Sequence, residues 1–166
     1  MGNHGAGLML SSRPIKRLRN GHYQLKLSEK ERDVLKTLPG GLRDQLAAGQ
    51  DDGSMMRLFP SAYTADLGRQ VEYDRLMRDE LTASHLNALK TMEQTAEADV
   101  LTEEQLDDWL RALNQLRLVL GTRLDITEET TEDTFGPDDP RVGGFALYVF
   151  LGYLQEEATE AMSSGL

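Results

Sequence analysis

The apolar segment of residues 109–124 contains three polar residues that could take part in chemistry. Arg117 follows two leucines of this segment by four and seven positions, which places its guanidinium on or beside the apolar stripe of a helix. A buried guanidinium needs an anion, because an unpaired buried charge is costly. We therefore expect an acid such as Glu72 to pair with Arg117, and the alternative is a pocket that binds an anion. The candidate polar network consists of Glu72, Asn114, Arg117 and Arg123.

Paired carboxylates are the second candidate for chemistry. They occur at residues 103–104, 107–108 and 156–157, and two carboxylates could serve glycoside hydrolysis or hold a divalent cation. Such pairs arise freely in a chain with 28 acidic residues. The first pair falls in the first turn of a predicted helix, where the helix dipole favours negative charge. We interpret the pairs as surface residues and keep a carboxylate enzyme as the minor alternative.

Common signatures of catalysis and metal binding do not occur in the sequence. The chain has no cysteine, which excludes disulfides, thiolate metal sites and cysteine nucleophiles. His4, His22 and His85 are far apart, and none has a partner at metal-ligand spacing. The phosphate-binding loop, the dinucleotide-binding glycine motif, the nucleophile elbow and the H-E-x-x-H motif are absent. The sequence thus predicts a protein that is not an enzyme and binds no metal or cofactor.

Charge is distributed unevenly along the chain. The formal net charge is −10, which predicts against direct DNA binding because that binding needs Lys and Arg to neutralise phosphates. Residues 1–27 carry only basic charges, and residues 125–139 carry only acidic charges. Both segments are typical of solvated surface, and a site for nucleic acid or an anionic partner is the alternative. The candidate interaction surface comprises Arg13, Lys16, Arg17, Arg19, Lys26, Asp125, Glu128 and Glu129.

The elements that must position these residues begin with a β-hairpin. Apolar and polar residues alternate on both sides of Asn20 and Gly21, over residues 15–27. Asn-Gly suits a two-residue turn in which both central residues have positive φ. Because a lone hairpin is marginally stable, its exposed edge could pair with a second copy of the chain.

Two capping boxes mark the starts of helices. In each box, a hydroxyl and a carboxylate or amide oxygen three residues later accept hydrogen bonds from exposed backbone amides. The first predicts a helix from Glu29, which Pro39 and the two following glycines should kink or split. The second precedes the most regular apolar periodicity of the chain, in residues 106–124. The boxes are Ser28 with Glu31, and Thr102 with Gln105.

Further helices complete a mainly α fold. Residues 66–98 have helical composition, as one bent helix or two consecutive helices. The acidic segment of residues 127–140 predicts a mobile loop, and a last helix follows it. Apolar residues cover every face of residues 145–154, which predicts a helix at the centre of the core. The expected fold is a helical bundle around a hydrophobic C-terminal helix, preceded by an N-terminal β-hairpin.

Length and hydropathy predict one cytoplasmic domain. A chain of 166 residues lies within the single-domain range, with residues 1–12 frayed, a hairpin at 15–27 and a helical bundle at 29–163. The opening residues do not have the pattern of a secretory signal. The most apolar stretch, residues 145–154, is about half as long as a membrane span requires. We therefore expect a protein without membrane contact.

Four stretches together resemble a known family. They are L-F-P-S-A-Y at residues 58–63, E-Y-D-R-L at 72–76, W-L-R-A-L-N-Q-L-R-L-V-L-G-T-R-L at 109–124 and F-A-L-Y-V-F-L-G-Y-L-Q-E at 145–156. The chain resembles an actinobacterial family of unknown function that includes the oxidative-stress regulator AosR. The likeness spans nearly the whole chain, and the third stretch is its most specific part.

The resemblance implies a regulatory, non-enzymatic protein that acts through protein–protein interaction. Its implied role is stress-linked transcription control, with a sigma factor or transcription complex as the partner. Family genes near a Clp-protease adaptor and a metalloprotease imply the alternative of an adaptor or scaffold in protein turnover. Where cysteine-based redox sensing is proposed for a family member, this chain departs from the pattern because it has no thiol.

Overall fold

Four helices form most of the described chain, and three short strands make a small sheet beside them. The computed structural model describes residues 13–49, 53–59 and 67–164, so the segment 1–12, expected to be frayed, lies outside the described residues. The mainly α fold with an N-terminal hairpin and a hydrophobic C-terminal helix is confirmed. In chain order the elements are β1 (Ile15–Arg17), β2 (Tyr23–Leu25), α1 (Glu29–Ala47), α2 (Leu67–Thr95), β3 (Val100–Leu101), α3 (Glu103–Arg123) and α4 (Val142–Ser163), with short 3₁₀ turns at Met56–Leu58 and Glu132–Thr134.

The hairpin forms as predicted, but its turn is of another type. Leu18 and His22 close a three-residue loop, with the Leu18 N–H donating to the His22 carbonyl at 2.8 Å. Positive φ falls on Gly21, at 88°, and not on Asn20. The side chain of Asn20 instead accepts a hydrogen bond from the His22 N–H at 3.0 Å. The predicted two-residue turn is therefore wrong. Asn20 stabilises the loop through its carboxamide, and only Gly21 takes the left-handed conformation.

A third strand, which the sequence pattern did not predict, completes the sheet. Strand β3 pairs antiparallel with β2, with Tyr23 opposite Leu101. The sheet order is β1-β2-β3, so β2 is central. The inner face of the sheet buries four side chains, each at most 4% exposed: Ile15, Tyr23, Leu25 and Leu101. This face joins the helices in one apolar core.

Helix α1 begins at its predicted capping box and is not split. Ser28 Oγ accepts from the Glu31 N–H at 3.1 Å, and Glu31 Oε1 accepts from the Ser28 N–H at 2.7 Å. The helix continues through Pro39 to Ala47. Leu42 and Leu46, beyond the proline, are buried. Their burial outweighs the single backbone hydrogen bond that the proline removes.

Arg32 joins the sheet, α1 and the turn that leaves α2. Its guanidinium donates to the carbonyl oxygens of Leu27 at 3.3 Å, Ala96 at 3.1 Å and Ala98 at 2.6 Å. Five N–H donors in a planar fork suit such a cluster of carbonyl groups. The arginine therefore fixes the sheet against the helices.

The helices follow one another in antiparallel pairs, and α3 holds the central place. Contacts link α1 with α2, α2 with α3 and α3 with α4, and α3 also contacts α1. Helix α4 packs against α3 and β1. On its outer side Val149 is 51% exposed and Tyr153 is 42% exposed. Helix α4 is thus more peripheral than its composition predicted, because only one of its apolar faces meets the core.

Trp109 of α3 anchors the core through packing and one hydrogen bond. Its ring is fully buried, and its Nε1–H donates to Thr95 Oγ1 of α2 at 2.7 Å. The Thr95 hydroxyl in turn donates to the Thr91 carbonyl at 2.6 Å. One turn away, Thr91 Oγ1 donates to an Asp108 carboxylate oxygen at 2.8 Å. The two threonines thus set the register of α2 against α3.

No helix among the described residues combines the length and apolar character that a membrane crossing requires.

Replacing Thr95 with valine should destabilise the fold, because the buried indole N–H of Trp109 would lose its acceptor. We expect a loss of about 1–3 kcal/mol in the free energy of unfolding, measured by urea titration of Trp109 fluorescence. Thr122→Val is the matched control, since Thr122 Oγ1 also donates to a carbonyl four residues earlier but accepts nothing from an indole. It should cost no more than about 0.5 kcal/mol. Equal losses in both variants would contradict the assigned hydrogen bond.

Candidate functional site

Arg117 faces α4 and not α2. Its NH1 donates to Gln155 Oε1 at 3.2 Å, and its guanidinium carbon lies 4.5 Å from the centre of the Tyr148 ring. Glu72 is 63% exposed in its side chain and pairs with Arg75 on its own helix at 3.1 Å. The predicted pairing of Glu72 with Arg117 is therefore wrong, since Glu72 lies on the exposed N-terminal half of α2 and α4 receives the guanidinium.

The other two members of the predicted network lie apart from Arg117. Asn114 is exposed on α3. Arg123 donates from Nε to Ser54 Oγ at 3.0 Å and from NH2 to Gln45 Oε1 at 2.6 Å. These contacts connect the end of α3 with α1 and with the segment that precedes the first 3₁₀ turn. The four residues do not form one network, because successive polar side chains of α3 point to different neighbours.

Gly152 creates the space that Arg117 occupies. A Cβ atom on Gly152 would lie 3.1 Å from Arg117 Nε and 3.2 Å from its Cζ and NH2. Arg117 Nε is buried without a hydrogen-bond partner. Within the described part of the chain, no carboxylate pairs with this arginine. Stacking on Tyr148 and the Gln155 hydrogen bond therefore hold the guanidinium in place. The sequence feature that could have indicated this contact is a glycine, Gly152, within an apolar helix.

A groove of about 1000 Å³ opens along α4 beside Arg117. Its lining includes Phe145, Tyr148, Val149 and Tyr153 of α4. The loop after α3 contributes Ile126, Thr127 and Thr130. Glu156, Glu157, Thr159, Glu160 and Ser163 line the other end. The groove thus has apolar side chains around the Arg117 guanidinium in its middle and polar residues at its ends.

The predicted interaction surface divides into two separate parts. Asp125, Glu128 and Glu129 are exposed in the loop that lines the groove. The basic residues lie on or beside the hairpin, next to β3 and the start of α3, whereas the acidic loop follows the end of α3. The 21 residues of α3 separate the two by about 30 Å. The basic residues are Arg13, Lys16, Arg19 and Lys26, all exposed, and Arg17, whose guanidinium carbon lies 6.0 Å from the Tyr23 ring centre.

The loop that closes the groove at the start of α4 is folded onto that helix. Phe135 is 7% exposed and lies 5.2 Å from Phe145, measured between ring centres. Arg141 covers the Phe135 ring at 4.6 Å and donates from NH2 to Asp139 Oδ2 at 2.8 Å. Hydrogen bonds from the side chain and backbone of Arg141 lower the pKa of Asp139 to about 2. The ion pair is local, since its partners are two positions apart, and it is the contacts of Phe135 with Phe145 and Arg141 that place the acidic segment against the start of α4.

Two of the carboxylate pairs lie in the first two turns of α3 and line one open cleft of about 470 Å³, and the third pair lies on α4. Glu103 and Glu104 lie in the first turn of α3, as predicted. Asp107 pairs with Arg111 at 3.3 Å. Among the residues that the structure describes, no group of three or more His, Asp or Glu side chains could hold a metal ion.

Replacing Gly152 with alanine should displace the Arg117 guanidinium from Tyr148, because the new methyl group would occupy its place. We expect the Nε–H resonance of Arg117 to move in a ¹⁵N NMR spectrum as the ring current of Tyr148 is lost. Gly143→Ala is the control on the same helix, since a Cβ atom there meets nothing within 4 Å. If the Arg117 Nε–H resonance moved equally in Gly152→Ala and Gly143→Ala, the close approach of Arg117 to Gly152 would be contradicted.

Replacing Arg141 with glutamine should raise the pKa of Asp139 from about 2 towards the ordinary value of about 3.9. Because the folded-state pKa is lowered, the ion pair contributes stability above about pH 4 and loses it as the pH falls through about 2. A ¹³C NMR titration of the Asp139 carboxyl carbon measures the change. Arg111→Gln is the control and should leave the pKa of Asp139 unaltered. A pKa near 4 for Asp139 in the wild-type protein would disprove its interaction with Arg141.

A family model covers nearly the whole chain. Residues 12–162 match the model described as Domain of unknown function (DUF2017). No curated protein and no solved structure matches the chain. Since the family match extends from before the hairpin almost to the end of α4, the chain belongs to the DUF2017 family.

Proposed function

We propose that this protein is a non-catalytic regulator that binds another protein through the α4 groove. The supporting observation is the apolar outer side of α4, where Val149 is 51% exposed and Tyr153 is 42% exposed beside the groove. Apolar side chains grouped on a surface and bordered by polar residues are typical of protein-binding sites. Tyrosine is also enriched at the energetic centres of interfaces.

The proposed setting is stress-linked transcription control in the cytoplasm, with a sigma factor or transcription complex as the partner. This part depends on the resemblance to the actinobacterial family that includes AosR. The proposed regulation does not use cysteine chemistry, because the chain contains no thiol. Recognition would then depend on the shape and charge of the groove.

Truncating Val149 and Tyr153 to alanine should weaken binding of the partner protein. The test is a pull-down from native lysate, quantified by mass spectrometry, with wild-type protein and with Val149→Ala/Tyr153→Ala. We expect wild-type protein to recover a sigma factor or RNA polymerase subunits, and the double variant to recover about tenfold less, since a buried interface tyrosine is worth about 2 kcal/mol or more. Both positions are exposed, so the fold should tolerate the changes.

A matched pair on another helix controls for general loss of apolar surface. Tyr73 and Leu76 of α2 are 56% and 54% exposed, and α2 contacts α1 and α3. Tyr73→Ala/Leu76→Ala should retain the partner. Equal recovery by wild-type protein and the groove variant would overturn the proposal. Recovery of Clp or metalloprotease components in place of transcription proteins would favour the protein-turnover alternative.

A further inference from the structure

The groove carries negative charge at both ends. Glu156, Glu157 and Glu160 line one end, and none of them forms an ion pair within the described ranges. At the other end, the lining residues Thr127 and Thr130 flank two exposed acids, Glu128 and Glu129. Carboxylates that lack internal partners at both ends of an apolar surface create a potential that attracts cations.

Arg117 is the only cation that lines the groove among the described residues, and it does not reverse this charge. Its guanidinium stacks on Tyr148 and donates to Gln155, so it lies on the floor of the groove. Three glutamates at one end outnumber it, and the acids of the loop add to them. A positively charged occupant therefore matches the rim, with its apolar side against the middle of the groove.

The dimensions of the groove fit an α-helix. Val149 and Tyr153 are four positions apart and stand one above the other on the outer side of α4. The lining extends from Phe145 to Ser163 of α4, which at about 1.5 Å per residue is roughly 27 Å. A helix of about 18 residues has this length. Packing of a second helix along α4 would cover the exposed side chains as α3 covers the opposite face.

We propose that the α4 groove binds a basic amphipathic helix of the partner protein, an inference that rests on the proposed function. The apolar face of that helix would pack on Val149 and Tyr153. Its Lys and Arg side chains would meet the glutamates at one end and the acidic loop at the other. Charge complementarity of this kind contributes orientation and association rate as well as affinity.

The test uses two fluorescent 18-residue peptides and the full-length protein. One peptide has Leu at i, i+3, i+4 and i+7 spacing with Lys elsewhere, and the other has Gln in place of Lys. Fluorescence anisotropy at 0.15 M salt gives each Kd. We expect the Lys peptide to bind about tenfold more tightly than the Gln peptide, with an advantage that shrinks as salt rises.

Charge-neutral variants locate the site. Glu156→Gln/Glu157→Gln/Glu160→Gln should weaken Lys-peptide binding about tenfold, since each exposed charge pair contributes modestly. Asp74→Asn/Asp79→Asn/Glu80→Gln removes the same number of charges from exposed positions of α2, and should change the Kd less than twofold. Circular dichroism of both variants checks that the helices remain folded.

Several results would overturn the inference. Failure of the Lys peptide to bind is one such result, and equal Kd values for the Lys and Gln peptides are another. Equal weakening of Lys-peptide binding by the two triple variants is a third, because it would indicate only general attraction to an acidic protein. Chain self-association that occupies the groove, seen by sedimentation and abolished by the Glu156, Glu157 and Glu160 changes, would also overturn it. If the lysate partner is lost with Val149→Ala/Tyr153→Ala but retained by the triple glutamine variant, the proposed function stands and the basic helix is wrong.

Discussion

Burial of Trp109 between α2 and the rest of the core is the constraint on which the structure depends. The indole is the largest fully buried side chain, and its polar N–H must find an acceptor away from water. Thr95 supplies that acceptor at 2.7 Å. Because this bond fixes α3 against α2, it also fixes the sheet, which joins α3 through β3 directly before its first turn.

The central place of α3 explains why α4 offers a binding surface. Helix α3 meets α1, α2 and α4, so it fills the position that an all-round apolar helix would otherwise take. Helix α4 buries Phe150, Leu151 and Leu154 on its inner side and leaves apolar residues on its outer side. Helix α4 is apolar on more faces than α3 and β1 can cover, and this excess is therefore the physical origin of the groove.

Local chemistry made much of the fold predictable from sequence. Both capping boxes form as expected, because their hydrogen bonds join residues three positions apart. The two residues of β3 were too few to give a pattern. The predicted pairing of Arg117 with Glu72 was wrong for a different reason. Periodicity places a residue on a helix face but does not reveal which helix covers that face. Only packing selects α4, and with it Gln155 and Tyr148, over α2.

Arg117 also shows how the groove can combine a partly buried cation with an acidic rim. A guanidinium is weakly hydrated and planar, so an aromatic face and an amide can hold it without a carboxylate partner. Had Glu156 or Glu160 paired with it, that rim charge would have been neutralised within the chain. Gly152 prevents a side chain from displacing the arginine and keeps it on the floor. The glutamates at the rim therefore form no ion pair among the described residues, which is the arrangement that the proposed recognition by charge requires.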